Sequence, residues 1–253
     1  MSEVLLEVDA GVAVLTLNAP TRFNALTVAM ADELVAALAA VEADPSVAAL
    51  VVRGEGKAFC AGGDVATLAD AGVDPADPER YAGIGAIYAS FTRLGKVGVP
   101  TIAAVHGAVV GAGMNLMLAA DLRVVAQDAR LICGFLKRGL HPGGGHFLLL
   151  ERLAGREAAA AMGLFGEEVD GTTAQRLGLA WDAVPAAEVT ERALELARRV
   201  AGDPELARAV VTTFRRELGP PHVSWDVAVQ VERPSQMWSM RRAEIASRRS
   251  ADA

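Results

Sequence analysis

The stretch from Lys96 to Arg123 constrains the fold most tightly. An apolar run, Thr101 to Val105, follows Pro100 and has the length and composition of a buried strand. After a His-Gly turn and a short apolar crossing come Gly111, Ala112 and Gly113, then Met114 to Ala120, ending at Asp121. Small residues let a backbone lie close to a neighbouring segment. A helix that begins at Gly111 or Ala112 leaves its first N–H groups without partners inside the helix. Such groups can face an anion, or an oxygen that becomes anionic during a reaction. Alone, the stretch also fits a buried helix in an ordinary core.

Apolar runs and helical periods alternate along the rest of the chain. Val4 to Val8 and Val12 to Leu17 flank Asp9-Ala10-Gly11 and read as a β-hairpin. Thr27 is placed to cap a helix carrying Met30, Leu34, Leu38 and Val41 at helical spacing. Val47 to Val52 is a strand, and the run from Gly54 to Asp64 ends a strand in a glycine turn at Gly62-Gly63. Residues 65 to 80 become irregular in their second half, where Asp70, Asp74 and Asp77 alternate with Gly72, Pro75 and Pro78. A helix from about Glu79 to Lys96, a strand from Leu122 to Ala126 and a short strand-like piece from Ala129 to Ile132 follow. Helices are expected near His146 to Leu153, Arg156 to Met162 and Glu188 to Val200, with a short one capped by Thr172 or Thr173. Such alternation implies right-handed crossovers and a mostly parallel sheet, with ligands beyond the carboxyl ends of strands. The glycine turns at 62–63 and 111–113 both follow strands, so they can face one another. Residues 1–200 read as the core. Residues 201–253 read as a helical region, with helices from Asp203 to Leu218 and Trp225 to Arg249 extending away to pack on the core or on a neighbouring subunit.

Composition excludes several classes. With 253 residues, 52% of them hydrophobic, the chain can bury a large core. Its net charge of −7 argues against a nucleic-acid surface or a basic membrane patch. Cys60 and Cys133 are too few for a disulfide framework and fit a reducing compartment. The acidic start and the short, interrupted apolar runs predict no signal peptide and no membrane span, hence a cytoplasmic protein.

Three groups of residues occur in a specific order. They are Asn18-Ala19-Pro20 with Asn24-Ala25-Leu26; the run from Gly56 to Val65; and Ala104 to Gly107 with Gly111-Ala112-Gly113 and Ala119 to Arg123. Gly139-Leu140, Pro142 to Gly145 and Gly178-Leu179 continue the series. Together they resemble the enoyl-CoA hydratase/isomerase, or crotonase, family over nearly the whole chain. The resemblance implies an α/β fold of ββα units wound into a spiral. Its C-terminal helices would build a homotrimer or a dimer of trimers. It implies an acyl-CoA thioester as ligand and no separate cofactor, coenzyme A being part of the substrate. By position, the backbone N–H groups of Gly63 and Ala112 would grip the thioester carbonyl, with Gly111 opening the helix. Ala25, Leu26 and Ala61 would pass near the adenine end of coenzyme A. Asp64 would border the site or cap the next helix, and Arg22 and Lys57 would meet phosphates or face solvent.

The chain departs from the family where acid–base chemistry is done. The two glutamates of a standard hydratase fall at Asn115, two residues beyond the last glycine, and Phe135, seven residues before Pro142. Asn has no proton equilibrium near neutral pH, and Phe has no titratable group. The aspartate that follows the proline in the family's hydrolase branch is Gly143 here. His141 in the glycine-rich turn is the remaining acid–base candidate, with His146 a helix-start residue and His106 structural. The nominal activity is hydration of trans-2-enoyl-CoA. The alternatives are acyl-CoA binding without turnover, or another enolate-stabilised reaction using His141. A carboxylate from the 65–80 loop or from another subunit would be needed for the usual route.

Overall fold

The computed structural model describes residues 2–218 and 225–251. Strands β1 (Val4–Asp9) and β2 (Val12–Leu17) form the expected hairpin, with Val4 opposite Leu17 and Asp9 opposite Val12. Its two-residue turn places Ala10 and Gly11 at φ of 46° and 81°, the left-handed geometry a tight hairpin needs. Helix α1 (Val28–Ala43) is capped by the Thr27 side chain, which accepts from the Met30 N–H at 3.1 Å.

Three repeats of strand, short strand and helix then follow. The first holds β3 (Ala49–Gly54), β4 (Ala58–Cys60) and α2 (Val65–Val73), and a long helix, α3 (Pro78–Leu94), is appended to it. The second holds β5 (Thr101–Val105), β6 (Ala108–Val110) and α4 (Ala112–Ala119). The third holds β7 (Leu122–Ala126), β8 (Arg130–Ile132) and α5 (His146–Phe165). The chain continues through β9 (Val169–Asp170), α6 (Gly171–Arg176), β10 (Asp182–Val184), α7 (Val189–Arg198), α8 (Pro204–Glu217) and α9 (Trp225–Ala251).

The long strands pair in the order β1-β2-β3-β5-β7-β10, parallel everywhere except the first hairpin. The short strands form a second sheet in the order β4-β6-β8-β9. Each repeat therefore adds one strand to each sheet, which is the expected ββα spiral. The core between the layers is apolar, with Leu15, Leu17, Leu34, Leu50, Phe59 and Phe91 fully enclosed.

Two local expectations change. Asp170, not Thr172 or Thr173, caps α6, accepting from the Thr173 N–H at 2.7 Å. The helices expected from His146 and Arg156 meet as one element broken at Gly155, whose φ of 77° is not helical. Asp121 binds the Thr101 hydroxyl and Arg215, while Arg123 turns to the carbonyls of Ala120 and Leu179.

The C-terminal helices do not extend away from the core. Arg208 of α8 donates to the carbonyls of Val41 and Asp44 and so closes the end of α1. Helix α9 lies back across α2 and α3. At Gly72 a side chain would come within 2.7 Å of the Met240 carbonyl oxygen, so the absence of a Cβ there permits the close crossing. Residues 219–224, 252 and 253 of the C-terminal region lie outside the described residues.

Candidate active site

The second sheet explains how residues far apart in sequence meet. Its adjacent strands β4, β6 and β8 each run into a turn at the carboxyl end: Ala61-Gly62-Gly63, Gly111-Ala112 and Cys133-Gly134-Phe135. Strand neighbours lie about 4.8 Å apart, so the three turns form one wall of a cavity of about 60 Å³. Leu68 of α2, Ile84, Ile87 and Tyr88 of α3, and Gln236 of α9 form the opposite wall, with Arg138 and Leu140 at the mouth.

Two backbone donors are presented where the first two turns meet. Leu26 donates to the Gly62 carbonyl at 2.7 Å and accepts from the Asp64 N–H at 2.9 Å. This parallel bridge uses the groups on either side of Gly63 and leaves the Gly63 N–H on the opposite edge. Gly62 has a φ of 94°, and a Cβ there would lie 2.7 Å from the Val110 carbonyl oxygen and 3.6 Å from the Ala112 nitrogen. The two glycine turns therefore touch. Gly111, at a φ of 51°, turns the chain into α4 at Ala112, and the first helical bond runs from Asn115 N–H to the Gly111 carbonyl at 3.1 Å. The N–H of Ala112 thus precedes the hydrogen-bonded ladder. Asp64 caps α2 through the Thr67 N–H at 3.0 Å.

Behind this cradle lies a buried polar chain. Asn115 Nδ2 donates to the Gly143 carbonyl at 2.8 Å. Its Oδ1 is then an acceptor, and His146 Nδ1 lies 2.7 Å from it. The imidazole therefore carries its proton on Nδ1, and its Nε2 lone pair faces Cys133 Sγ at 3.0 Å, so the thiol donates. Burial pushes His146 down to about 3 and Cys133 up to about 12, so both are neutral across the ordinary pH range. Phe135 packs edge-on against His146, ring centres 4.9 Å apart.

Helix α9 closes the site. Glu232 accepts from the N–H groups of Gly145 and His146 at 2.7 and 3.2 Å, at the start of α5. Burial raises it to about 7, against the lowering effect of those bonds. Trp225 donates to the Gly144 carbonyl at 3.0 Å, and Gln236 accepts from the Tyr88 hydroxyl. Desolvation keeps Tyr88 protonated well above its usual range.

Other expected residues stand elsewhere. His141 does not line the cavity among the described residues. Its Nδ1 lies 2.6 Å from the Pro142 carbonyl oxygen, and its backbone N–H meets Ser239. His106 binds the Gly56 carbonyl at 2.9 Å, a structural contact. Arg22 pairs with Glu3, whose carboxyl it keeps below the usual range. Lys57 is exposed. Leu26 bonds the first turn, Ala25 bonds back to Arg22, and Ala61 lines the cavity. Asp70 and Asp77 pair with Arg80 in a separate cleft. No Asp or Glu lines the cavity among the described residues. Sequence reasoning missed Tyr88, Glu232 and Gln236. Tyr88 is legible only as one further position on the apolar face of α3, and the other two carry no local signal.

A spiral of ββα units whose neighbouring short strands β4 and β6 end in touching glycine turns defines the class of the fold. The sequence model of the enoyl-CoA hydratase/isomerase family matches residues 7–231, and the chain belongs to that family. It is 42% identical over 252 residues to a Mycobacterium tuberculosis protein named "Probable enoyl-CoA hydratase EchA14", covering 98% of this chain and 96% of that one. It is 35% identical over 214 residues to the 1,2-epoxyphenylacetyl-CoA isomerase of Escherichia coli K12, covering 83% and 80%. Among solved structures, the Pseudomonas aeruginosa protein PA4980 superposes with a TM-score of 0.78 at 35% identity, covering 91% and 98%. Family-level hydratase/isomerase chemistry on acyl-CoA esters is the class of function. No helix among the described residues is long and apolar enough to cross a membrane.

Proposed function

We propose that the chain binds an acyl-CoA thioester with its carbonyl oxygen between the N–H groups of Gly63 and Ala112. The observation that carries this is the contact of the two glycine turns, with the Ala112 nitrogen 3.6 Å from the space beside Gly62. Charge that develops on the thioester oxygen, as an enolate or a tetrahedral oxyanion, would be stabilised by donors already in place. The apolar wall of Leu68, Ile84, Ile87 and Phe135 suits an acyl chain.

Hydration of trans-2-enoyl-CoA is the nominal reaction, but the usual acid–base pair is missing. Asn115 is 1% exposed and both ends of its amide are engaged, so it cannot hold an attacking water. A positioned general acid or base contributes roughly 10² to 10⁴ in rate. Two-glutamate hydration should therefore be slow here by about that factor for each lost carboxylate. His141 adds nothing to this account, since it lies off the cavity wall.

The test is direct binding of a short and a long trans-2-enoyl-CoA, alongside loss of the conjugated thioester absorbance. Binding with slow or no hydration is expected. Failure of both esters to bind would overturn the reading. A homotrimer or dimer of trimers fits the exposed stripe of Leu206, Val210 and Phe214 on α8. A monomer in mass photometry would refute it.

A further inference from the structure

We propose that Cys133 is the nucleophile of a thioester-cleaving activity at this site, with His146 as its general base and Asn115 as the residue that orients the imidazole. The inference rests on the acyl-CoA reading above and goes beyond it in naming a bond-breaking step. Three observations support it. The thiol-bearing residue lines the same cavity as Gly63 and Ala112, in the turn after β8, the strand next to the one that leads into Gly111. Its hydrogen-bond chain has one direction only: thiol to Nε2, Nδ1–H to the Asn115 oxygen, and the Asn115 amide N–H to the Gly143 carbonyl. A nucleophile, a base and an orienting group in that order are what acyl transfer by a thiol requires. Finally, no carboxylate among the described residues lines the cavity to compete for the role of base.

The second cysteine provides an internal contrast. Cys60 is equally buried, but its thiol donates to the Asn24 carbonyl at 3.1 Å rather than to an imidazole nitrogen. Cys133 instead faces the imidazole of His146. The neutral state of both Cys133 and His146 means that the resting site holds no ion pair. Proton transfer has to accompany attack, as negative charge moves onto the oxygen in the backbone cradle.

The step balances. The Cys133 sulfur bonds to the thioester carbonyl carbon, the π electrons move to oxygen, and the thiol proton passes to His146 Nε2. Collapse of the tetrahedral oxyanion breaks the bond to the coenzyme A sulfur, which takes the proton from Nε2 and leaves as a thiol. A water molecule then attacks the acyl-cysteine thioester, giving its proton to Nε2. The Cys133 sulfur departs and recovers that proton. The net reaction converts an acyl-CoA and water to a carboxylic acid and free coenzyme A.

The experiment uses the full chain and butanoyl-CoA, a saturated ester that cannot undergo conjugate addition. Binding to the wild-type protein is measured directly. Free coenzyme A is followed by chromatography, and the acid-quenched protein is mapped by mass spectrometry. The expected result is release of coenzyme A with a butanoyl group on the Cys133 peptide and none on the Cys60 peptide. Cys133→Ala and Cys133→Ser should each lower release by at least about 100-fold. Wild-type labelling needs no variant, so the proposal stays testable if those substitutions impair folding. Binding without coenzyme A release, or release unchanged in Cys133→Ala, would overturn the proposal and leave the acyl-CoA reading intact. Absence of binding would remove both.

Discussion

Asn115 holds His146 in a single tautomer: the imidazole Nδ1 lies 2.7 Å from the amide oxygen, and the amide nitrogen is committed to the Gly143 carbonyl. The position that carries a catalytic glutamate in the resembling family is here a fixed strut beneath the glycine-rich turn.

The first prediction concerns that imidazole. With His146 lowered by burial to about 3, it should stay neutral with the proton on Nδ1 at pH 5. Nitrogen-15 NMR of the ring checks this, and an imidazolium at that pH would contradict the structure. The unfolded chain binds this proton below about 6.5 and the folded one does not. His146 therefore contributes stability above 6.5 that is lost as pH falls towards 3.

Glu232 acts in the opposite sense. Its carboxyl is raised to about 7 by burial, so between the unfolded value of 4.5 and 7 the folded state holds the extra proton. The stability it contributes is full below 4.5 and is lost as pH rises through 7. Glu232→Gln keeps an acceptor for the Gly145 and His146 N–H groups and removes the titration. Urea unfolding at pH 4.5 and at pH 8 should show the variant gaining on the wild type as pH rises, by on the order of 3 kcal/mol. A pH-independent difference would refute the assignment.

Ala112→Pro is the cleanest probe of the cradle. Proline is tolerated at the first position of a helix and removes only the N–H. Ala112 opens α4, so the fold should survive with a small change in Tm. Any activity on an acyl-CoA should fall by roughly 10² to 10³. Full retention of activity would take Ala112 out of the oxyanion cradle.

Gly143→Asp would install the residue of the family's hydrolase branch, yet it should destabilise the chain without giving new activity. A Cβ at Gly143 would sit 2.3 Å from both the Gln236 amide and the Tyr88 hydroxyl, well inside van der Waals contact. A loss of about 1–3 kcal/mol by thermal or chemical unfolding is expected. Unchanged stability would show that α9 does not press on the turn.

The amino-acid sequence by itself determined the strand and helix alternation, the two glycine turns, and the absence of carboxylates at 115 and 135. These are local properties. Apolar period, cap chemistry and the backbone freedom of Gly62 and Gly111 act within a few residues of chain, so they can be read without knowing the neighbours. Only the tertiary structure decided what faces the cavity. Helix α9 brings Glu232 back onto Gly145, 87 residues earlier, and Gln236 onto Tyr88 of α3, 148 residues earlier. The sequence singles out His141 as the acid–base candidate and His146 as a helix-start residue, yet His141 bonds its own loop and His146 joins Asn115 to Cys133. The reason is physical. A side chain's partner is set by which elements pack against it, and burial then determines whether that partner is neutral, charged or spent on structure.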